Sequence, residues 1–287
     1  LMINLVAAIY WGIRRRFWII IPLIAIAANW QYLGRIFQPP FTVGGKEANT
    51  LKIATYNVDS FGNEQSGYSC KEIAAYMKEH RVDIICFQEF AGNRYFTPDS
   101  IRNAFADWQY AVIPQAPDST PILQVALFSK YPVKDSRLIT YPDSRNCSMW
   151  CDLDIDGQTI RVFNNHLQTT EVSQNKRRLE RELAKNELTG REKAVARQLL
   201  EGLNENFRKR AAQAKTLEQL IRTTPYPILV CGDFNSLPSS YTYSTVKGDN
   251  LQDGFQTCGH GYMYTFRYFK RLLRIDYIFH SKEFKGV

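Results

Sequence analysis

The sequence predicts an α+β protein in which mixed β-sheets pack face to face under helices, a four-layer sandwich, with a membrane anchor in front. Three observations lead there. Short apolar runs rich in β-branched residues recur between residues 51 and 279 and read as buried strands. Some are separated by helical patterns and others by hairpin signals, which points to mixed sheets. The first 33 residues carry no charged side chain apart from Arg14, Arg15 and Arg16.

The front end comes first. Leu1–Trp11 is apolar and begins without an initiator Met, so the chain is expected to be a fragment starting inside a hydrophobic helix. After the three arginines, Phe17–Leu33 is apolar apart from a few polar residues and sits at the short limit for crossing a bilayer. Trp18, Trp30 and Tyr32 stand where interfacial aromatics would. The arginines favour the cytoplasm, which would leave the rest of the chain outside it, in the periplasm of an inner-membrane-anchored protein. Rival readings are a signal peptide cleaved after Ala25-Ile26-Ala27 and a buried helix of a soluble protein. The predicted division is an anchor over 1–38, a Pro- and Gly-containing linker over 39–49 and one domain over 50–287.

Within that domain, Leu51–Tyr56 alternates as a strand and ends at Asn57. Ser69 and Glu72 read as a capping box that opens a helix over Cys70–His80, with Ile73, Met77 and Tyr76 on its apolar face. Val82–Phe87 is a buried strand ending at Gln88-Glu89. Pro98 can open a short helix. Val125–Phe128 is strand-like. Met149–Ile155 and Thr159–Asn164 flank Asp156-Gly157, the strongest hairpin signal in the chain, and the second arm ends at Asn165-His166. Residues 171–222 read as a helical insertion interrupted near Gly190 and Gly202. Pro227–Val230 is a strand leading into Cys231–Asn235, where Gly232 is expected to permit a tight turn. Ile275–Phe279 is the last strand.

Composition sets bounds. With 45% hydrophobic and 22% charged residues, the chain is globular rather than disordered. Its net charge is +8, and residues 176–215 alone hold 12 basic and 6 acidic side chains. The remainder is near neutral, so charge by itself is weak support for nucleic-acid binding. The six cysteines form no zinc pattern and no disulfide framework.

Several strand ends carry polar groups that a buried strand does not need: Asn57, Gln88, Glu89, Asn165, His166, Asp233, Asn235 and Asp276. Each has a plain structural role open to it, as a turn cap, a salt-bridge partner or a satisfied core histidine. If the ends converge, they form one cleft of carboxylates, amides and an imidazole. Tyr264 and Arg267, in an aromatic and basic stretch over 262–271, are candidate substrate contacts, although strand packing also accounts for them.

Six stretches, in order, resemble the endonuclease/exonuclease/phosphatase superfamily, which has a DNase I-like fold. They are residues 54–58, Asp83–Glu89, Ala126–Pro132, Asn164–Leu167, Gly232–Asn235 and Arg274–Ile278. The membrane-anchored front end resembles a Bacteroidetes-type branch. The resemblance implies an αββα sandwich and Mg²⁺-dependent hydrolysis of phosphate esters, with Mn²⁺ as the alternative ion. Glu89 and Asn57 would serve the metal, and His166, Asp233, Asn235 and Asp276 would be catalytic. Asn165, Asn235, Tyr264 and Arg267 would meet the substrate, a nucleic acid or a phospholipid headgroup. A phosphodiesterase at a membrane is expected, with no protein partner. Members of the superfamily carry a Ser-Asp-His motif some distance after the stretch matching residues 275–278, and the chain as given ends at Val287. A trimmed chain with impaired activity is therefore expected. The competing expectation is a non-catalytic, membrane-tethered binding module that keeps the fold.

Overall fold

A computed structural model describes residues 2–40, 50–116, 121–170, 191–267 and 269–286. Most of the expected linker and the first part of the helical insertion lie outside the described residues.

Two sheets face each other. The smaller contains β2 (Ile53–Asn57), β3 (Ile84–Gln88), β4 (Tyr110–Val112) and β5 (Val125–Ser129) in the order β2-β3-β5-β4. The larger contains β6 (Val133–Thr140), β7 (Cys147–Ile155), β8 (Gln158–His166), β9 (Ile228–Asp233), β10 (Leu251–Asp253) and β12 (Asp276–Ser281), in the order β10-β12-β9-β8-β7-β6. Between the sheets, Ile84, Cys86, Val125 and Leu127 meet Met149, Cys151, Val162 and Cys231. The outer face of the smaller sheet is covered by α4 (Tyr68–Glu79) and α5 (Pro98–Ala104), through Cys70, Ala74, Met77 and Ile101 on Phe87 and Phe128. The larger sheet is covered by α6 (Arg191–Arg222) and α7 (Tyr241–Lys247), through Ala214, Leu217, Ile221 and Tyr243 on Phe163, Val230 and Phe279. The result is the expected αββα sandwich, whose three apolar layers remove most large side chains from water.

Local details follow the chemistry. Asp156 and Gly157 both take positive φ (51° and 84°), as a two-residue hairpin turn requires, and Ile155 pairs with Gln158 across it. The capping box does not form. Gly67 precedes α4, and the Ser69 amide and hydroxyl both donate to the Glu64 carboxylate at 2.8 and 2.6 Å. Glu64 reaches these free first-turn donors from outside the helix, so Glu72 is not needed there. Tyr76 is exposed rather than packed. The helix α6 runs through Gly202 without a break. One helical glycine costs only about 1 kcal/mol, and the packed apolar face of the last turns anchors the helix.

The front end departs from expectation. No helix among the described residues is long and apolar enough to cross a membrane. The stretch expected as one span is a 3₁₀ turn at Phe17–Ile19, then α2 (Ile20–Ala28) and α3 (Trp30–Leu33). Asn29 breaks it: its backbone leaves helical geometry (φ −103°, ψ 11°) and its amide donates to the Ala25 carbonyl at 2.8 Å. α2 packs against α1 (Met2–Ile13).

Residues 34–38 are then bound to the domain. β1 (Phe37–Gln38) pairs with β11 (Gly261–Tyr262), and Met263 N donates to Ile36 O at 3.0 Å. Arg35 donates to Pro238 O at 2.7 Å and covers the Tyr243 ring at 4.7 Å, while its carbonyl accepts from Arg274 at 3.0 Å.

Candidate active site

The strand ends converge. β8 and β9 run parallel with His166 opposite Asp233, and β12 lies antiparallel to β9 with Asp276 opposite Asp233. In the facing sheet, Asn57 ends β2 and Glu89 follows β3. Asn57 Nδ2 joins the two sheets' contributions, 3.0 Å from Glu89 Oε1 and 3.1 Å from Asp233 Oδ2. His166 Nε2 lies 3.5 Å from Glu89 Oε1.

The backbone is shaped to present these groups. Gly232 has φ +138°, and a Cβ there would sit 2.0 Å from the Asn165 carbonyl oxygen. Only glycine lets β9 approach β8 so closely just before Asp233. Glu89 and Asn235 both adopt left-handed conformations (φ 50° and 48°), uncommon for side-chain-bearing residues. At Glu89 the turn is held by its own carbonyl, which accepts from Ser60 N at 2.8 Å. At Asn235 it is held by an amide bond to Asp233 Oδ1 at 2.8 Å and a side-chain bond to Leu167 O at 3.0 Å.

Burial and neighbouring charge set the electrostatics. Burial, reinforced by Asp276, pushes the Asp233 carboxyl up to about 7. Burial pushes Asp276 up to about 6, opposed by Thr265 and Arg274. Burial lowers the pKa of His166, against the pull of Asp233. Neither ring nitrogen of His166 has a hydrogen-bond partner among the described residues. An imidazole held neutral and unsatisfied beside carboxylates is ready to bond an incoming group.

Other expected residues are placed differently. Asn57 Oδ1 accepts from Asp59 N at 3.0 Å, so this side chain turns a donor, not a metal-ligating oxygen, toward the carboxylates. Asn165 is fully buried and donates to Cys231 O at 2.8 Å, and its Oδ1 has no hydrogen-bond partner among the described residues. Arg267 lines the cleft, 3.7 Å from Asp59 Oδ2, and Tyr264 is exposed. His280 is buried and pairs with Thr257 at 3.1 Å.

Sequence reading missed Thr265, Asn164 and Arg210, and took Gln88 only as one of the polar strand ends. Thr265 Oγ1 accepts from the amides of Ile275 and Asp276 at 3.0 and 3.1 Å. Gln88 and Asn164 bond to each other between the sheets at 2.7 Å. Arg210 donates to the Asn235 carbonyl. Thr265 and Arg210 lie in stretches whose aromatic or basic character masks single residues, but the Gln and Asn next to predicted site residues in apolar strands were a usable signal.

Among the described residues, no three His, Cys, Asp or Glu side chains are grouped to hold a metal ion. A magnesium ion needs less, because it keeps several waters and takes one or two carboxylates together with substrate phosphate. Glu89, a quarter exposed and linked to Asp233 through the Asn57 amide, fits such a hard cation.

The comparisons agree with the fold. No curated protein matches the sequence. Among solved structures, a β-hairpin deletion mutant of beta toxin from Staphylococcus aureus superposes with TM-score 0.57 at 17% identity, covering 83% of this chain and 89% of that one. The mannosyl-6-phosphatase Bt3783 of Bacteroides thetaiotaomicron gives 0.53 at 16% identity, covering 81% and 86%. D. rerio TDP2 complexed with single strand DNA product gives 0.53 at 16%, covering 80% and 83%. The Endonuclease/Exonuclease/phosphatase family model matches residues 54–286. The matched segment holds every strand end of the cleft, and the chain belongs to the Endonuclease/Exonuclease/phosphatase family.

Proposed function

We propose that this protein is a metal-dependent phosphoric ester hydrolase, acting on phosphodiesters. The carrying observation is the Asn57 amide placed between Glu89 and Asp233, which draws acids from both sheets to one point. Glu89 would hold Mg²⁺, or Mn²⁺, which when bound would stabilise charge on the phosphate. His166 would donate to a phosphate oxygen as that charge grows. Asp233 would take a proton from the attacking water. Its pKa of about 7 suits a base at neutral pH, and Asp276 beside it helps keep it basic. Asn235 would fix the phosphate in line with that water. Arg267 on the rim would meet the substrate's flanking charge.

Two substrate classes fit, a nucleic acid and a phospholipid headgroup. The phospholipid is favoured by the front end, where Ile3, Val6, Ile9, Phe17, Ile20 and Ile24 are exposed on α1, the 3₁₀ turn and α2. Helices apolar on every side call for an apolar cover, and Arg14–Arg16 at their turn suit anionic headgroups. In this reading the helices rest in a membrane and the catalytic domain is extracytoplasmic. Protease treatment of intact spheroplasts tests the placement, and a protected domain would refute it. The activity itself is tested with a panel of phosphodiesters and monoesters, with and without Mg²⁺, on wild type and Glu89→Gln. Metal-dependent turnover is expected, with Glu89→Gln lowering it sharply at the Mg²⁺ concentration that saturates wild type. No turnover of any ester would leave the non-catalytic binding module as the reading.

A further inference from the structure

Among the described residues, the largest side chain wholly withdrawn from solvent is that of Arg210 in α6. Its Nη1 donates to the carbonyl of Asn235, while Nε and Nη2 have no hydrogen-bond partner. The guanidinium lies over the Phe207 ring, 5.1 Å from its centre. With one hydrogen bond to a neutral carbonyl and only a partial offset from the charge of Asp233, burying this guanidinium is costly, and an apolar side chain of similar length would pack there at less cost. Stability therefore does not account for the residue, whereas its partner does. The carbonyl it grips belongs to the left-handed turn at Asn235. The same helix face reaches the neighbouring strand end. Gln213, three residues on, accepts from the backbone amide of Gln168 at 2.8 Å, two residues past His166.

We propose that Arg210 is a positioning residue: from its buried seat in α6 it holds the Asn235 carbonyl, fixing the turn that presents Asn235 to the phosphate. Gln213 steadies the strand end that carries His166. The charge supports the assignment, because burial lowers the Arg210 pKa to about 10 and the nearby Asp233 opposes that fall. The role rests on the hydrolase reading above, and a misplacement of a catalytic group by about 1 Å is enough to cost about 100-fold in rate.

The test uses the full chain with bis(p-nitrophenyl) phosphate and Mg²⁺, together with deuterium uptake by the peptide around residues 233–237. Arg210→Met is expected to lower kcat by about 10- to 100-fold with little change in KM. Arg210→Lys, which keeps a charged donor, is expected to regain part of that loss. In an Asn235→Ala background, Arg210→Met is expected to cost less than about 3-fold, since the side chain it positions is gone. Uptake at residues 233–237 rises in Arg210→Met but not elsewhere in β9. Unchanged kcat in a folded Arg210→Met, or an equal loss with and without Asn235, would overturn the assignment. If Arg210→Met does not fold, a kcat for Arg210→Lys equal to wild type with unchanged uptake overturns it, and a lowered kcat at constant KM supports it. If wild type turns over no ester, the hydrolase reading fails, and selective uptake at the turn still decides whether Arg210 holds it.

Discussion

Gln88 Nε2 donates to Asn164 Oδ1 across 2.7 Å, and this bond joins the two sheets one residue before Glu89 and two before His166. Gln88 also donates to Thr55 Oγ1 at 3.0 Å, and Asn164 donates to the Phe87 and Ala126 carbonyls, both at 2.9 Å. Polar groups in the apolar layer thus lock the relative position of Glu89 and His166. Gln88→Leu would strand the Asn164 oxygen in that layer. A loss of about 1–3 kcal/mol in denaturant unfolding is expected, with reduced activity per folded molecule.

His166 and Glu89 should separate by their effects. His166→Gln is expected to lower kcat by about 100- to 1000-fold, the scale of losing one donor to a developing oxyanion. Its half-saturating Mg²⁺ concentration should stay near that of wild type. Glu89→Gln should instead raise that concentration. Steady-state kinetics across a Mg²⁺ titration checks both.

The acids of the cleft make a statement about pH. The folded-state values of Asp233 and Asp276, about 7 and about 6, lie above the ordinary 3.8 of both groups. The fold therefore holds protons that the unfolded chain has released, and this contribution is complete at low pH and is lost as pH rises through about 7. His166 acts oppositely, since its lowered pKa removes stability as pH falls below its ordinary value. Above that point the aspartates dominate. Metal-free protein is expected to melt roughly 1–2 °C higher at about pH 6.5 than at about pH 8.5. Asp233→Asn should flatten the difference in calorimetry.

Gly232→Ala tests the close approach of β8 and β9. The added methyl would meet Asn165 O at 2.0 Å and Asn165 N at 2.7 Å, in a backbone conformation that alanine avoids. Both strands are central and cannot shift freely. A loss of about 3 kcal/mol or more is expected, read as a fall in soluble yield and melting temperature.

The sequence disclosed most of the cleft because a carboxylate, amide or imidazole closing a β-branched run has no role in packing. Asn57, Glu89, His166, Asp233 and Asp276 all stood out in that way, and their meeting follows from the order of strands. β6 was invisible for the opposite reason. Lys134, Asp135 and Arg137 leave it without an apolar alternation, and it is held at the sheet edge by backbone pairing with β7. Arg210 was hidden among 12 basic residues, where one buried arginine looks like its solvated neighbours. At the front, hydrophobic length was read correctly but continuity was not, because the break at Asn29 depends on its side chain reaching back to Ala25.

The five residues 34–38 have a mechanical consequence. Arg35, Ile36 and Phe37 are fastened to the lip of the catalytic domain by a strand pair, two guanidinium bonds and a stacked ring. A leashed enzyme sweeps a volume, whereas one bolted at its collar keeps a heading. The segment that leaves the N-terminal helices therefore enters the domain in one fixed direction, beside the mouth of the cleft.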